Sequence, residues 1–388
     1  MNKLFTLFVY LSFVFFIIGP VGKIPLDLTG VNIYLLDLVI GLMGIFLMMK
    51  FSWLIKLVKK EKIVYSFLFF CLILFLSWLI SPIELSLSEK LVSLLYLVRF
   101  FAYFFIYLIL IYLFDRENFK SESFRKLIIF SGIILASLGW LQYFLYPDLR
   151  NLYYLGWDPH HKRIFSTYLD PNFFGLIMVI SLIMLLSTNK KSIRYFLIII
   201  FIFITILFTY SRSSFISLLI ALIIYLGSKK KYKLLGSILM LFIVLLISLP
   251  RNIGGESVKL ERMFSLQQRI VNFQEILTIA LKNPLFGVGF NTLRYARRSY
   301  ALTAIDWQEN HAAAGADNSF LFIFATSGLV GLTVFIFMTR EFFLHVKFAG
   351  RVVLITILIH SLFVNSFFYP WVMFLMWIIL AIDRKKIS

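Results

Sequence analysis

The chain has 388 residues, of which 61% are hydrophobic and 15% charged, yet it carries a formal net charge of +19. Its mean hydropathy of +0.92 excludes a water-soluble globular domain and identifies a polytopic membrane protein. Basic residues gathered between apolar runs are what membrane topology demands, so the charge is no argument for nucleic-acid binding.

Apolar runs suited to crossing about 30 Å of hydrocarbon are expected near residues 4–19, 31–49, 63–80, 92–114, 126–146 and 172–188. Six more are expected near 195–210, 213–227, 233–250, 318–338, 352–367 and 369–382, the last two parted by a turn at Tyr369-Pro370. Continuous apolar runs exclude the alternating pattern of a barrel, so the expected fold is all-α with about twelve transmembrane helices. No fixed-period repeat or Gly/Ser linker divides the chain, which reads as a single transmembrane domain, 1–388. The first run lacks a small-residue cleavage pattern and reads as a retained span. Cys71 is the sole cysteine and lies within an expected span, which excludes an intramolecular disulfide and a thiolate metal site.

Lysines and arginines favour the even-numbered connections, for example Lys56, Lys59 and Lys60, then Lys229, Lys230 and Lys231. The positive-inside rule therefore predicts cytoplasmic termini. Residues 251–317 form a long extracytoplasmic loop, polar and basic against that trend. An outward-facing site for an anionic group such as a lipid-linked phosphate accounts for it; simple tolerance of charge in a long loop is the plainer alternative.

Three segments place charge beside the outer ends of spans. Arg163 precedes Asp170-Pro171-Asn172, where Asp170 reads equally well as a helix cap. Tyr210-Ser211-Arg212 joins two short apolar runs, so Arg212 stays near the hydrocarbon boundary and needs a carboxylate, carbonyl or phosphate partner. In the long loop, residues 260–281 are amphipathic and carry Arg262 and Arg269; Gly287 and Gly289 form a turn, and Arg294, Arg297 and Arg298 follow at helical spacing. Asp317-Asn318 opens the next span, Asp317 being either a cap or a general base. Asp37 and Arg99 read as structural intramembrane charges, and Tyr295, Tyr300 and Trp307 as interfacial aromatics able to stack on sugars.

In this order the segments resemble the Wzy-type polysaccharide polymerases and the related O-antigen ligases, polytopic enzymes of the GT-C glycosyltransferase class. The resemblance covers roughly residues 163–332. Asp170-Pro171-Asn172 is similar to the family's Asn-Pro-Asn, and Tyr210-Ser211-Arg212 to its Gly-Ser-Arg. Arg269 followed by Asn283-Pro284-Leu285-Phe286-Gly287-Val288-Gly289 resembles its Arg-bearing helix and Pro-x-x-Gly-x-Gly. Ligases show His-Asn, nine residues, then Gly-x-x-Gly; here Asp317-Asn318 leads at the same spacing to Gly328 and Gly331. The missing histidine favours a polymerase, with His311, six residues earlier, as an alternative base.

The resemblance implies transfer of a glycan from undecaprenyl diphosphate to a lipid-linked repeat unit, at the outer face of the bacterial cytoplasmic membrane. Arg212 and Arg269 would neutralise the diphosphate leaving group, and Asp317 or His311 would take the acceptor's proton. Arg163, Asn172, Arg262, Arg294 and Asn318 are the candidate substrate-binding residues. The expected reaction is inverting and metal-independent, with no cofactor. Expected partners are the undecaprenyl-diphosphate-linked oligosaccharide, the lipid bilayer and a chain-length regulator. Ligation to lipid A-core is the nearer alternative; a transporter or flippase is the other, though it predicts broken helices at mid-membrane and repeated halves.

Overall fold

A computed structural model describes residues 2–26, 31–116, 119–155, 157–188, 192–250, 258–259, 263–302 and 315–385. Among the described residues the fold is all-helical apart from one hairpin. α1 (Asn2–Ile18) leads through a short 3-10 turn to β1 (Lys23–Leu26) and β2 (Val31–Tyr34), antiparallel with Ile24 opposite Ile33. The run expected as a span from residue 31 therefore begins as a strand. Val31 and Ile33 are β-branched and alternate with Asn32, so they favour a pleated surface over a helix.

α2 (Leu35–Met48) then descends, its start fixed by the Asp37 carboxylate, which accepts from the Tyr34 amide at 3.0 Å, and α3 (Phe51–Lys60) turns away from it by 96°. The sequence alone presents residues 51–60 as a lysine-bearing connection. Its lysines share the helix with Phe51, Trp53 and Leu57, the composition of a helix lying at an interface.

α4 (Lys62–Leu79), α5 (Leu87–Arg116) and α6 (Ser121–Leu145) are long and apolar. α7 (Pro171–Ser187), α8 (Ile193–Leu207), α9 (Arg212–Ser228) and α10 (Tyr232–Ser248) are apolar but shorter. α11 (Met263–Lys282) and α12 (Leu293–Ser299) are the polar helices expected in the long loop, and α13 (Ser319–His345) is again long enough to span. α14 (Phe348–His360) and α15 (Pro370–Ile382) complete the bundle. Among the described residues, five helices are long and apolar enough to cross a membrane, or six if α2 and α3 form one bent span. The chain is a multi-pass membrane protein.

The span expected over 352–367 ends early. α14 has 13 residues, about 20 Å of helix, which is short of hydrocarbon thickness. The following residues, 361–369, form a partly buried non-helical strap in which Ser361 and Ser366 are fully enclosed and Leu362 is exposed. Irregular backbone is tolerated at such depth only when protein covers it and supplies hydrogen bonds.

α4 packs on α13, α15 on α5, α14 on α9 and α7, and α11 on α13. The centre is aromatic: fully buried Trp377 meets Phe67 edge-on at 4.8 Å and Phe104 at 4.9 Å. The end of the bundle away from the hairpin is closed by ion pairs. Arg125 reaches Asp383 at 2.7 Å, the other Asp383 oxygen accepts from the Gly350 amide, and Arg384 bridges Glu61 and Asp115.

Candidate active site

At the hairpin end, the N-termini of α9 and α13 meet the side of α11 around a cleft of about 570 Å³. Arg212, Arg269, Asp317 and Asn318 line it, with Asn272 beside them and Leu321, Leu362 and Phe363 as apolar wall. Four of the candidate residues are thus brought together from positions spread over more than a hundred in sequence.

Local chemistry fixes each one. Ser211 caps α9 by accepting from the Ser214 amide, which sets Arg212 at the first helical position. Asn318, rather than Asp317, caps α13: its side-chain oxygen accepts from the amides of Phe320 and Leu321 at 2.8 and 3.0 Å. The Asp317 carboxylate is therefore not spent on the helix. Two helix N-termini face the cleft, each adding partial positive charge to that of the two arginines.

Asp317 is stitched to α11, its amide donating to Asn272 Oδ1 at 3.1 Å while Asn272 Nδ2 donates to the Gly315 carbonyl. Burial raises its pKa above the ordinary carboxylate value, with Asp158 adding to the rise and Arg269 and Arg297 opposing it. Arg297, fully buried, is itself held 3.2 Å from Glu275 of α11.

α11 is held in place by an interlock. After α11 the chain turns through Asn283–Gly289 and docks into a break in α13 at Gly328, whose φ of 66° and ψ of −167° are non-helical. Four backbone hydrogen bonds close the break: Val288 N to Ala325 O and Gly289 N to Thr326 O at 2.9 Å, Leu329 N to Pro284 O at 2.8 Å, and Val330 N to Leu285 O at 3.2 Å. The Ser77 hydroxyl of α4 lies between Phe286 O and Thr326 O, 2.8 and 2.5 Å away, sharing its one proton between them, and Ser81 donates to Val288 O. A Cβ on Gly287 would lie 2.4 Å from Thr326 C, and one on Gly328 only 2.1 Å from Leu285 O. The two glycine patterns in the sequence are thus halves of one contact.

Residues 196–336 match the Wzy_C family model, O-Antigen ligase. The matched segment runs from α8 into α13 and contains Arg212, Arg269, Asp317, Asn318 and the interlocked glycines. It carries a coarse activity class with it, a glycosyltransferase-like polymerase or ligase, without separating the two. No curated protein matches the chain.

The remaining candidates lie elsewhere. Arg163 is buried and does not line the cleft; it precedes the matched segment and donates from Nε to Thr209 O at 2.8 Å and from Nη2 to Tyr210 O at 3.3 Å. It braces the turn that precedes Arg212, where Tyr210 adopts φ 50°. Asn172 does related work: its side-chain oxygen accepts from Ser211 Oγ at 2.9 Å and its carbonyl from Ser214 Oγ. The alternative cap reading holds for Asp170, which accepts from the Asn172 and Phe173 amides. Arg294 lies on α12, and the cleft-lining residues do not include it. Arg262, His311 and Trp307 lie outside the described residues. Among the described residues no group of three or more His, Cys, Asp or Glu side chains forms a candidate metal site.

Sequence reasoning missed His360. It is fully buried, with Nε2 3.0 Å from Ser213 Oγ and Nδ1 2.6 Å from Ser366 Oγ, tying the α9 N-terminus to the strap after α14. The same strap holds α13, through Ser319 N to Ser361 O, Asn318 Nδ2 to Leu362 O and Ser319 Oγ to Asn365 Oδ1. A lone histidine ending an apolar run was the available signal.

Proposed function

We propose that the chain is a polysaccharide polymerase that transfers a glycan from undecaprenyl diphosphate to the sugar of a lipid-linked repeat unit. The observation that carries this reading is the meeting of Arg212, Arg269 and Asp317 around one cleft, between two helix N-termini. A hydroxyl of the acceptor sugar attacks the anomeric carbon as the bond from that carbon to the diphosphate oxygen breaks. The bond electrons leave with the diphosphate, and attack opposite the leaving group inverts the anomeric centre.

Arg212 and Arg269 neutralise the charge that develops on the diphosphate, in a site partly screened from water where fixed donors act most strongly. Their charge takes the place a divalent cation would otherwise fill, so the reading is of a metal-independent enzyme. Asp317 accepts the proton from the attacking hydroxyl; its raised pKa moves it toward the range useful for a general base. Arg163 and Asn172 act through the Arg212 turn as positioning residues.

In this reading the five long helices, α2 and the six shorter apolar helices make twelve spans of a GT-C-like domain in the bacterial cytoplasmic membrane. Both termini are cytoplasmic and the hairpin end is external, with residues 251–317 as the external loop. The test is conversion of a purified undecaprenyl-diphosphate repeat unit by the wild type and by Arg212→Ala and Asp317→Ala, resolved as a glycan ladder. A ladder that both substitutions abolish supports the polymerase. Transfer only to an added lipid A-core acceptor makes the chain a ligase, and no transfer with either overturns both.

A further inference from the structure

A second, smaller cavity of about 150 Å³ opens at the same end of the bundle, between α5, the start of α15 and the chain around Phe290. Gly315 and Phe322 line it, whereas Asp317, Asn318 and Leu321 line the cleft. The start of α13 is therefore a wall common to both, and Asp317 stands two residues from the smaller one.

Its lining has two kinds of surface. Phe290, Phe368 and Tyr96 supply ring faces and edges, while Asn291, Asn365 and Arg99 supply planar polar groups. Arg99 lies 3.0 Å from Asp37, donates to the Asn32 carbonyl and sits over the rings of Tyr34 and Tyr96 at 5.4 and 5.2 Å. With its charge balanced by Asp37 it does not demand an anion, but it keeps a flat donor edge. Asn291 is held at φ 58°, just beyond the interlocked Gly289, a conformation that aspararagine tolerates better than most residues but that still costs energy.

Aromatic faces beside amide and guanidinium edges match a neutral sugar ring, which has an apolar C–H face and a rim of hydroxyls. The volume accommodates one ring and no more. We propose that this cavity is a subsite for a single neutral sugar ring of the acceptor glycan, holding it so that a hydroxyl reaches Asp317. The assignment of that ring to the acceptor rests on the polymerase reading; the recognition of a sugar does not.

The test is saturation-transfer NMR on the full chain in lipid nanodiscs with methyl glycosides of glucose, galactose, N-acetylglucosamine and rhamnose. At least one glycoside is expected to receive saturation above an empty-nanodisc control. Asn291→Gly, which keeps the backbone geometry, and Tyr96→Leu should each lower the signal at least fivefold without lowering Tm. Arg212→Ala should leave it unchanged. No saturation for any glycoside, saturation that survives both cavity substitutions, or loss with Arg212→Ala overturns the subsite. In the ladder assay Asn291→Gly should raise KM for the acceptor and leave KM for the donor alone. Glycoside binding without a ladder removes the polymerase reading and keeps the sugar site; a ladder without glycoside binding does the reverse.

Discussion

Replacing Gly328 by alanine should cripple the protein although the residue touches no substrate. Its φ of 66° and ψ of −167° lie in a region that essentially only glycine occupies, which costs a substituted residue about 1–3 kcal/mol. The new Cβ would also lie 2.1 Å from Leu285 O and 2.2 Å from Leu285 C, backbone atoms that cannot swing aside. Relieving that overlap costs roughly another 1–3 kcal/mol, or loosens the four hydrogen bonds of the docked turn, each contributing about 1 kcal/mol. A loss of about 2–6 kcal/mol is large beside a total stability of about 5–15 kcal/mol. Thermal unfolding in nanodiscs should show Tm lowered by on the order of 10 °C. Glycan transfer should fall too, because the turn anchors the helix bearing Arg269. Gly236→Ala in α10 is the control: its Cβ meets nothing within 4 Å, so stability should hold or rise by up to about 1 kcal/mol. A Gly328→Ala protein that matches wild type in Tm and in transfer refutes the interlock as the mount of α11.

Arg269→Ala should lower kcat about 10²–10³-fold, as the loss of one preorganised charge at a leaving group does, and Arg269→Lys should recover part of it; an unchanged kcat removes Arg269 from the chemistry. Asp317→Asn should cost about 10²–10⁴-fold in kcat. In the wild type the rate should rise with pH through the raised Asp317 pKa, and that limb should vanish in the variant. For stability the sign is opposite. A carboxyl whose folded pKa is raised stabilises the fold most below its unfolded value, and that stabilisation is lost as pH rises through the folded value. Asp317→Asn should therefore unfold at a higher temperature than wild type at pH 7, and an equal or lower Tm contradicts the buried-carboxylate account. His360→Ala removes one hydrogen bond each from Ser213, which keeps Ser211, and from Ser366, which keeps the Val364 carbonyl, at a cost of about 0.5–1.5 kcal/mol each; it should lower both Tm and kcat, whereas His360→Gln should restore Tm more than activity, and full activity in both excludes a positioning role.

Membrane character and most helices are legible from apolar run length alone, since lipid leaves helix as the way to satisfy backbone in a lone segment. Arg212, Arg269 and Asp317 stand out because charge beside the ends of apolar runs is conspicuous, and the structure brings all three to one cleft. Arg163 is equally conspicuous yet lies buried, since backbone carbonyls at Thr209 and Tyr210 satisfy a guanidinium without any ligand. Hydropathy cannot tell strand from helix in a short apolar run, so the β2 segment Val31–Tyr34 merges with α2. It also cannot reveal that residues 361–367 leave the helix, because the hydrogen bonds that permit it come from α13 and Ser213, far away in sequence. The glycines at 287, 289, 328 and 331 are visible as spacing, but that two of them face each other across a helix break is a fact of tertiary structure.

The strap after α14 has a bearing on how substrates get in. Both the α9 wall with Arg212 and the α13 wall with Asn318 hang from it, through His360 on one side and Ser361, Leu362 and Asn365 on the other. Walls tied to one mount are coupled, so a shift of the strap would move Arg212 and Asn318 together. The remaining wall is α11, anchored at its C-terminal end by the docked turn and in mid-helix by Asn272, with exposed Ile270 and Phe273 lining the cleft. The open cleft thus sets exposed hydrocarbon beside two arginines. In the proposed reaction that pairing receives a donor from the lipid side, its tail along Ile270 and Phe273 while its diphosphate reaches the charge.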